Sequence, residues 1–165
     1  MAAEYSANAT QVVQTNQPVI FTESPVPCNK GLVFHRDESG IFRLANNALS
    51  SNNCGCGCGC RRIYETLYQV EFHGNISVPT EPAGTVEPIS LAITIDGETD
   101  PSSIMTITVP LVSDTFGDNV GASIIVSVPS ICGCESVSVR NISTQAINVM
   151  NANILFNYIG VRRVR

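Results

Sequence analysis

Seven cysteines in 165 residues set the first chemical question. Four alternate with glycine in Cys54-Gly55-Cys56-Gly57-Cys58-Gly59-Cys60, two form Cys132-Gly133-Cys134, and Cys28 stands apart. In an extended chain every second side chain points the same way, so the four sulfurs of the first run would share one side. Such a loop could wrap a soft metal ion in a four-thiolate shell, with Cys28, Cys54, Cys56, Cys58, Cys60, Cys132 and Cys134 as candidate ligands. Zinc sites, however, usually draw on cysteines two to four residues apart, and Cys-x-Cys is a poorer chelate. The same seven residues are candidates for disulfides or for crosslinks between chains. A bond inside Cys-x-Cys closes a small, strained ring, so partners elsewhere are preferred. A flexible loop of free thiols is the third reading. An odd number leaves at least one thiol unpaired, shared between chains or on a metal.

No catalytic residue is assigned. The two histidines, His35 and His73, are far apart in sequence. His35 with Asp37 and His73 with Glu71 are i, i+2 pairs on one strand face, an ordinary arrangement for surface polar groups. No G-x-S-x-G nucleophile turn and no phosphate-binding G-x-x-x-x-G-K-[ST] loop occurs. The expectation is a protein that is not an enzyme and needs no cofactor beyond a metal at the Cys/Gly loop. Asn75-Ile76-Ser77 and Asn141-Ile142-Ser143 match the glycosylation pattern, but both sit at strand ends, where Asn and Ser commonly build turns.

Charge narrows the partners. Only 14% of residues are charged, against about 25% in ordinary soluble domains, and the net charge is −5. Bulk electrostatics therefore argue against nucleic-acid binding. The local exception is Val161-Arg162-Arg163-Val164-Arg165, a basic tail. Arg162, Arg163 and Arg165 are candidates for contact with an acidic partner, or simply a solvated end. No apolar stretch approaches the roughly 20 residues of a membrane span. The first residues lack the basic and apolar regions of a secretory signal, so synthesis in a cytosol is expected.

Strands must position these groups. Helical periodicity is almost absent, while β-branched runs and Pro/Gly/Asn/Asp breaks recur. Strands are expected over Val19–Glu23, Leu32–Arg36, Ile41–Ala45, Arg62–Phe72 with Asn75–Val78, and Ile89–Ile95. Further ones are expected over Ile104–Val109, Ala122–Val128, Ser136–Asn141 and Ala146–Tyr158, with a Pro-rich break at Ser24–Pro27. Asp96-Gly97 is a hairpin signal, because a tight turn needs positive φ. Eight to ten short strands without helices predict an all-β, antiparallel sandwich or barrel. The domain plan is a flexible arm over 1–18, one β domain over 19–160 with the Cys/Gly loop at 46–60, and the basic tail over 161–165.

The order of these motifs resembles the jelly-roll sandwich of the complement-type and tumour-necrosis-factor-like superfamily. Tyr68, Val70 and Phe72 fit its Y-x-V-x-F strand, and Ile95, Asp96 and Gly97 its hairpin. Val137, Val139, Asn141, Ser143, Ile147, Val149, Asn151, Ala152 and Ile154 fit its C-terminal pair. The segment VIFTESPVPCNKGLVFHRDESGIFRL, from Val19 to Leu44, is similar to the start of small proteins from phages of gut-dwelling bacteria. The resemblance implies a jelly-roll fold and a homotrimer. It also implies a virion protein made in the bacterial host cytoplasm, a capsid decoration or head-fibre subunit bound to the major capsid protein or another virion component. A bacterial surface or spore fibre crosslinked by cysteines, and a receptor- or carbohydrate-binding module, are the alternatives. The Cys/Gly loop and the Arg tail fall outside the family pattern.

Overall fold

The computed structural model describes residues 2–28, 32–36, 38–46, 64–81, 86–129 and 134–164. In chain order the strands are β1 (Ala2–Ala7), β2 (Gln11–Val13), β3 (Glu23–Val26), β4 (Val33–His35), β5 (Ile41–Ala45) and β6 (Tyr64–Ser77). Then follow β7 (Ile89–Ile95), β8 (Glu98–Thr99), a 3₁₀ turn (Pro101–Ser103), β9 (Met105–Ile107), β10 (Asp118–Pro129), β11 (Cys134–Asn141) and β12 (Ile147–Arg163). All named pairings are antiparallel. One sheet has the order β10-β6-β12-β1-β3, with β2 also against β12; the other is β4-β5-β11-β7-β8, with β9 also against β7. The result is an antiparallel sandwich, as the strand pattern predicts, with the jelly-roll form that the resemblance implies.

Alternation builds the layer between the sheets. On β6, Tyr68, Val70, Phe72 and Ile76 are fully buried, and Phe72 and Val70 stand opposite Ile154 and Phe156 of β12. Facing them are Phe42 and Leu44 of β5, Leu91 and Ile93 of β7, and Val137 and Val139 of β11. Phe42 is the hub of the aromatic cluster. Its ring lies 4.8 Å from Tyr5, 4.8 Å from Phe156, 5.4 Å from Phe21 and 4.5 Å from the stacked His35. Each such pair contributes about 0.5–1.5 kcal/mol beyond its buried area.

Several sequence expectations need correction. Residues 1–18 do not behave as a free arm over the described part. Ala3, Tyr5 and Ala7 are buried, and β1 lies between β12 and β3. Small apolar residues at alternate positions let the strand enter the sheet despite its polar composition. The strand expected at Val19–Glu23 is displaced: Val19 and Phe21 are buried, but the pairing strand is Glu23–Val26, across the expected break. Pro25 is tolerated there because β3 is an edge strand. Asp96 (φ 49°) and Gly97 (φ 86°) do form the tight turn. Its return strand is only Glu98–Thr99, however, and Met105–Ile107 pairs with the opposite end of β7. As expected, β6 continues past Gly74 as one strand. β12 is one strand with a bulge, the second of the two forms open to Ala146–Tyr158, with irregularities at Met150/Asn153 and Tyr158/Gly160. Asn151 takes φ 49° at the first, a conformation asparagine tolerates better than most residues. Nor is the C-terminus a detached tail as far as Arg163, since that residue stands opposite Tyr64. Asn141 is fully buried, which removes it as a glycosylation acceptor.

Candidate functional site

Three surfaces carry unusual chemistry. The first is the end of the sandwich where β5 finishes and β6 and β11 begin. Tyr68, wholly buried, donates its hydroxyl to Ala45 O (2.5 Å) and Leu32 O (3.4 Å). Cys134 stands opposite Ala45, and half-buried Cys28 accepts a bond from the Val33 amide at 3.4 Å. Burial pushes the Tyr68 phenol well up, and Cys28, Tyr158 and Cys134 add to it. Both described thiols therefore approach the same buried phenol, and both are free. Cys54, Cys56, Cys58, Cys60 and Cys132 lie outside the described residues. Asn46 and Tyr64, which flank 47–63, are themselves joined by Asn46 Nδ2 donating to Tyr64 O at 3.3 Å. Among the described residues no group of three or more His, Cys, Asp or Glu could hold a metal.

Next to Cys134, Glu135 shares a hydrogen bond with Asp96. That bond, with burial and the neighbouring negative charge, raises the Glu135 carboxyl to about 7. Asp96 is lowered, first by Glu135 and then by the Ser136 amide, which donates to it at 2.7 Å. The two carboxyls thus titrate as a coupled pair, with Glu135 holding its proton to the higher pH. On the other sheet at this end, Arg162 donates to Glu65 through Nη2 (2.5 Å) and Nε (3.2 Å). That contact holds Glu65 below the usual carboxylate range. Arg163 is exposed beside it, and Arg165 lies outside the described residues.

The second surface is a cavity of about 330 Å³ lined by Tyr5, Glu23, Ser24, Cys28, Phe34 and His35, among others. It lies where the edge strands β3 and β4 leave the sandwich open. His35 is fixed by Nε2 to Ser39 O (2.7 Å) and by its stack on Phe42. Burial raises the Tyr5 phenol, with Cys28 adding to the shift. Phe34 is half exposed at 53%. The other imidazole, His73, contacts Glu71 at 2.8 Å on the outer face of the first sheet. Among the described residues no side-chain hydroxyl or thiol hydrogen-bonds either imidazole.

The third surface is the opposite end, formed by the connection from β9 to β10. Val109 is 78% and Phe116 73% exposed, and Leu111 and Val112 are also open. The segment is nonetheless firmly held. Val78 N donates to Leu111 O (2.8 Å), Ser113 N to Val78 O (2.9 Å) and Ser77 Oγ to Ser113 O (2.6 Å). Asn148 Nδ2 reaches Ser113 O (3.0 Å) and Asp114 Oδ1 (2.9 Å). Ser113 Oγ in turn accepts from the amides of Thr115 (3.2 Å) and Phe116 (3.0 Å). Sequence reading missed this surface, because Thr108-Val109-Pro110-Leu111-Val112 has the composition of a core strand. The Pro110 inside it was the available signal. The acid pair and the cleft had no local signature either, since each joins residues distant in sequence.

The chain is thus an all-β jelly-roll protein whose chemistry-bearing groups lie at its two ends and along one open edge. No protein-family model matches it, and no curated protein matches it. Among solved structures it is similar to the PRD1 vertex protein P5, at 16% identity and a TM-score of 0.41 over 96% of each chain. It is also similar to the CBM35 from Cellvibrio japonicus Abf62, at 6% identity and a TM-score of 0.40, covering 100% of this chain and 99% of that one. A family 35 carbohydrate binding module from Clostridium thermocellum matches at 14% identity and 0.37, covering 93% and 97%. Likenesses at these values carry no functional implication.

Proposed function

We propose that this chain is a structural, non-enzymatic virion protein: a homotrimeric capsid decoration or head-fibre subunit. It would be attached to a phage particle through the major capsid protein or another virion component. The observation that carries the reading is the surface: Val109, Leu111, Val112 and Phe116 are exposed within one connection, on a chain with only 14% charged residues. Clustered apolar exposure marks surfaces that partners cover. The sequence resemblance of Val19–Leu44 to the start of small phage proteins points the same way.

The cavity between β3 and β4 favours a second reading, a receptor- or carbohydrate-binding module. An exposed aromatic ring beside a carboxylate and hydroxyls suits a polar ring-shaped ligand. A fibre crosslinked through the cysteines is distinguished from both by its response to reductant. Light scattering of the purified protein, with and without reductant, is the test. A trimer in both conditions is expected, together with detection of the chain in purified phage particles by mass spectrometry. Polymers that collapse on reduction would transfer the reading to a crosslinked fibre. A monomer in both conditions, absent from particles, would overturn the virion reading.

A further inference from the structure

We propose that copies of this chain meet end to end, the last part of β12 of one copy (Ile159–Arg163) seating on the apolar, acidic end formed by residues 108–117 of the next. The proposal rests on the reading of the protein as a self-assembling subunit.

The receiving end is built for presentation. Its hydrogen bonds to Val78, Ser77, Thr80 and Asn148 hold the backbone of Leu111 and Ser113 and the side chain of Asp114, while Val109 and Phe116 remain the most exposed large hydrophobics among the described residues. A segment ordered before binding gives up little further entropy when a partner arrives. Its rim is of one sign. Residues 78–81, 86–88 and 108–118 contain Glu81, Glu87, Asp114 and Asp118 and no basic residue. Two such ends facing one another would oppose like charges at an interface, which costs affinity. An apolar, positive occupant is therefore favoured over the same patch of a second copy.

This chain carries that complement at its other end. Ile159 (51%) and Val161 (43%) are exposed, and Arg162 and Arg163 follow. Strand β1 covers β12 only as far as Asn157, opposite Ala2, so among the described residues 160–163 pair on the β6 side alone. Glu65 engages Arg162, while the carboxylates Asp96, Glu98 and Glu135 at this end belong to the other sheet. The two surfaces are opposite ends of one strand. Asn148 contacts the 113–114 segment and Arg163 lies at the far terminus, about 50 Å away at a strand's rise per residue. Such a contact joins two different patches, so it is heterologous. In the proposed homotrimer, three such contacts would close a ring.

Mixing two disabled variants tests it. Val109→Asp with Phe116→Ser removes the receiving surface, and Arg162→Glu with Arg163→Glu removes the inserting one. Circular-dichroism melts check that each folds. If a double variant does not, Phe116→Ser and Arg163→Glu alone serve the same test. Sedimentation velocity is expected to show each variant as a monomer. Their mixture should give a one-to-one complex and nothing larger, because one live contact remains, and that complex should dissociate in high salt. A mixture that stays as two monomers, or either variant alone retaining the wild-type assembly, overturns the proposal. A wild-type trimer whose variants do not pair would leave self-assembly standing and remove only this contact. A wild type monomeric at every concentration would remove both.

Discussion

Removing the amide of Asn141 should cost this fold about 3 kcal/mol. Asn141 has no exposed surface, and its Nδ2 donates to Val13 O (2.9 Å) and Gln145 O (2.8 Å) while its Oδ1 accepts from Ser143 N (2.8 Å). One side chain thus ties β2, the end of β11 and the turn into β12. Asn141→Ala leaves two carbonyls and one N–H without that partner. Each buried group so orphaned costs about 1–3 kcal/mol, and the lower figure for all three sums to about 3 kcal/mol. For a chain of this size each kcal/mol lowers Tm by about 2–4 °C, so a fall of about 6–12 °C is expected. Asn141→Asp preserves the shape but turns an oxygen toward both carbonyls. Burial without a cation raises the new carboxyl above its unfolded value. Its folded form then holds a proton that the unfolded form releases, and the variant should weaken relative to wild type as pH rises from about 4 to about 8. Thermal melts at fixed protein concentration, followed by circular dichroism, are the assay, since assembly makes Tm concentration-dependent. An alanine variant melting within about 2 °C of wild type, or an Asp variant whose deficit is the same at both pH values, would refute the assignment of these three bonds.

Two further outcomes are expected. A Cβ on Gly40 would lie 2.3 Å from Val19 O and 2.6 Å from Pro18 Cβ, so Gly40→Ala must push the 18–19 segment off the second sheet. It should cost about 1–3 kcal/mol in urea titrations, and a neutral result would mean that the turn shifts freely. The raised carboxyl of Glu135 makes a contribution to stability that is complete below its unfolded value near 4.5 and is lost as pH rises through about 7. Glu135→Gln should flatten that part of the stability–pH curve, and an unchanged slope would exclude this carboxyl as its source.

The sheet-forming logic of the sequence was readable where alternation and turn chemistry agreed. Ile41–Ala45 and Ile89–Ile95 are strands with the expected bounds, and Asp96-Gly97 is the turn between β7 and β8. The reading failed where tertiary pairing overrode composition. Ala3, Tyr5 and Ala7 sit in a polar context and are drawn into the sheet by pairing with β12, about 150 residues away. Pro25 looked like a break because nothing local shows that β3 will be an edge. The cysteines were visible at once, but what brings Cys28 and Cys134 toward Tyr68 is the pairing of β4, β5 and β11, which spacing alone does not encode. The exposed 108–117 segment was the hardest to read, because exposure is a property of what fails to cover it.

The position of β12 between β6 and β1 has a consequence for synthesis. A ribosome makes β1 first, yet its neighbour in the sheet is residues 152–157, and β6 likewise waits for residues 148–163. Until then the apolar faces of β1 and β6 lack the strand that separates them, and the first sheet cannot close. Pairing of such long sequence separation is intrinsically slow and leaves strand edges open meanwhile. Folding of this sheet is therefore a late event, triggered by the arrival of one strand rather than built up along the chain. A ribosome stalled before residue 147 would hold β6 paired only to β10 and β1 only to β3, each with the edge that faces β12 open to its neighbours.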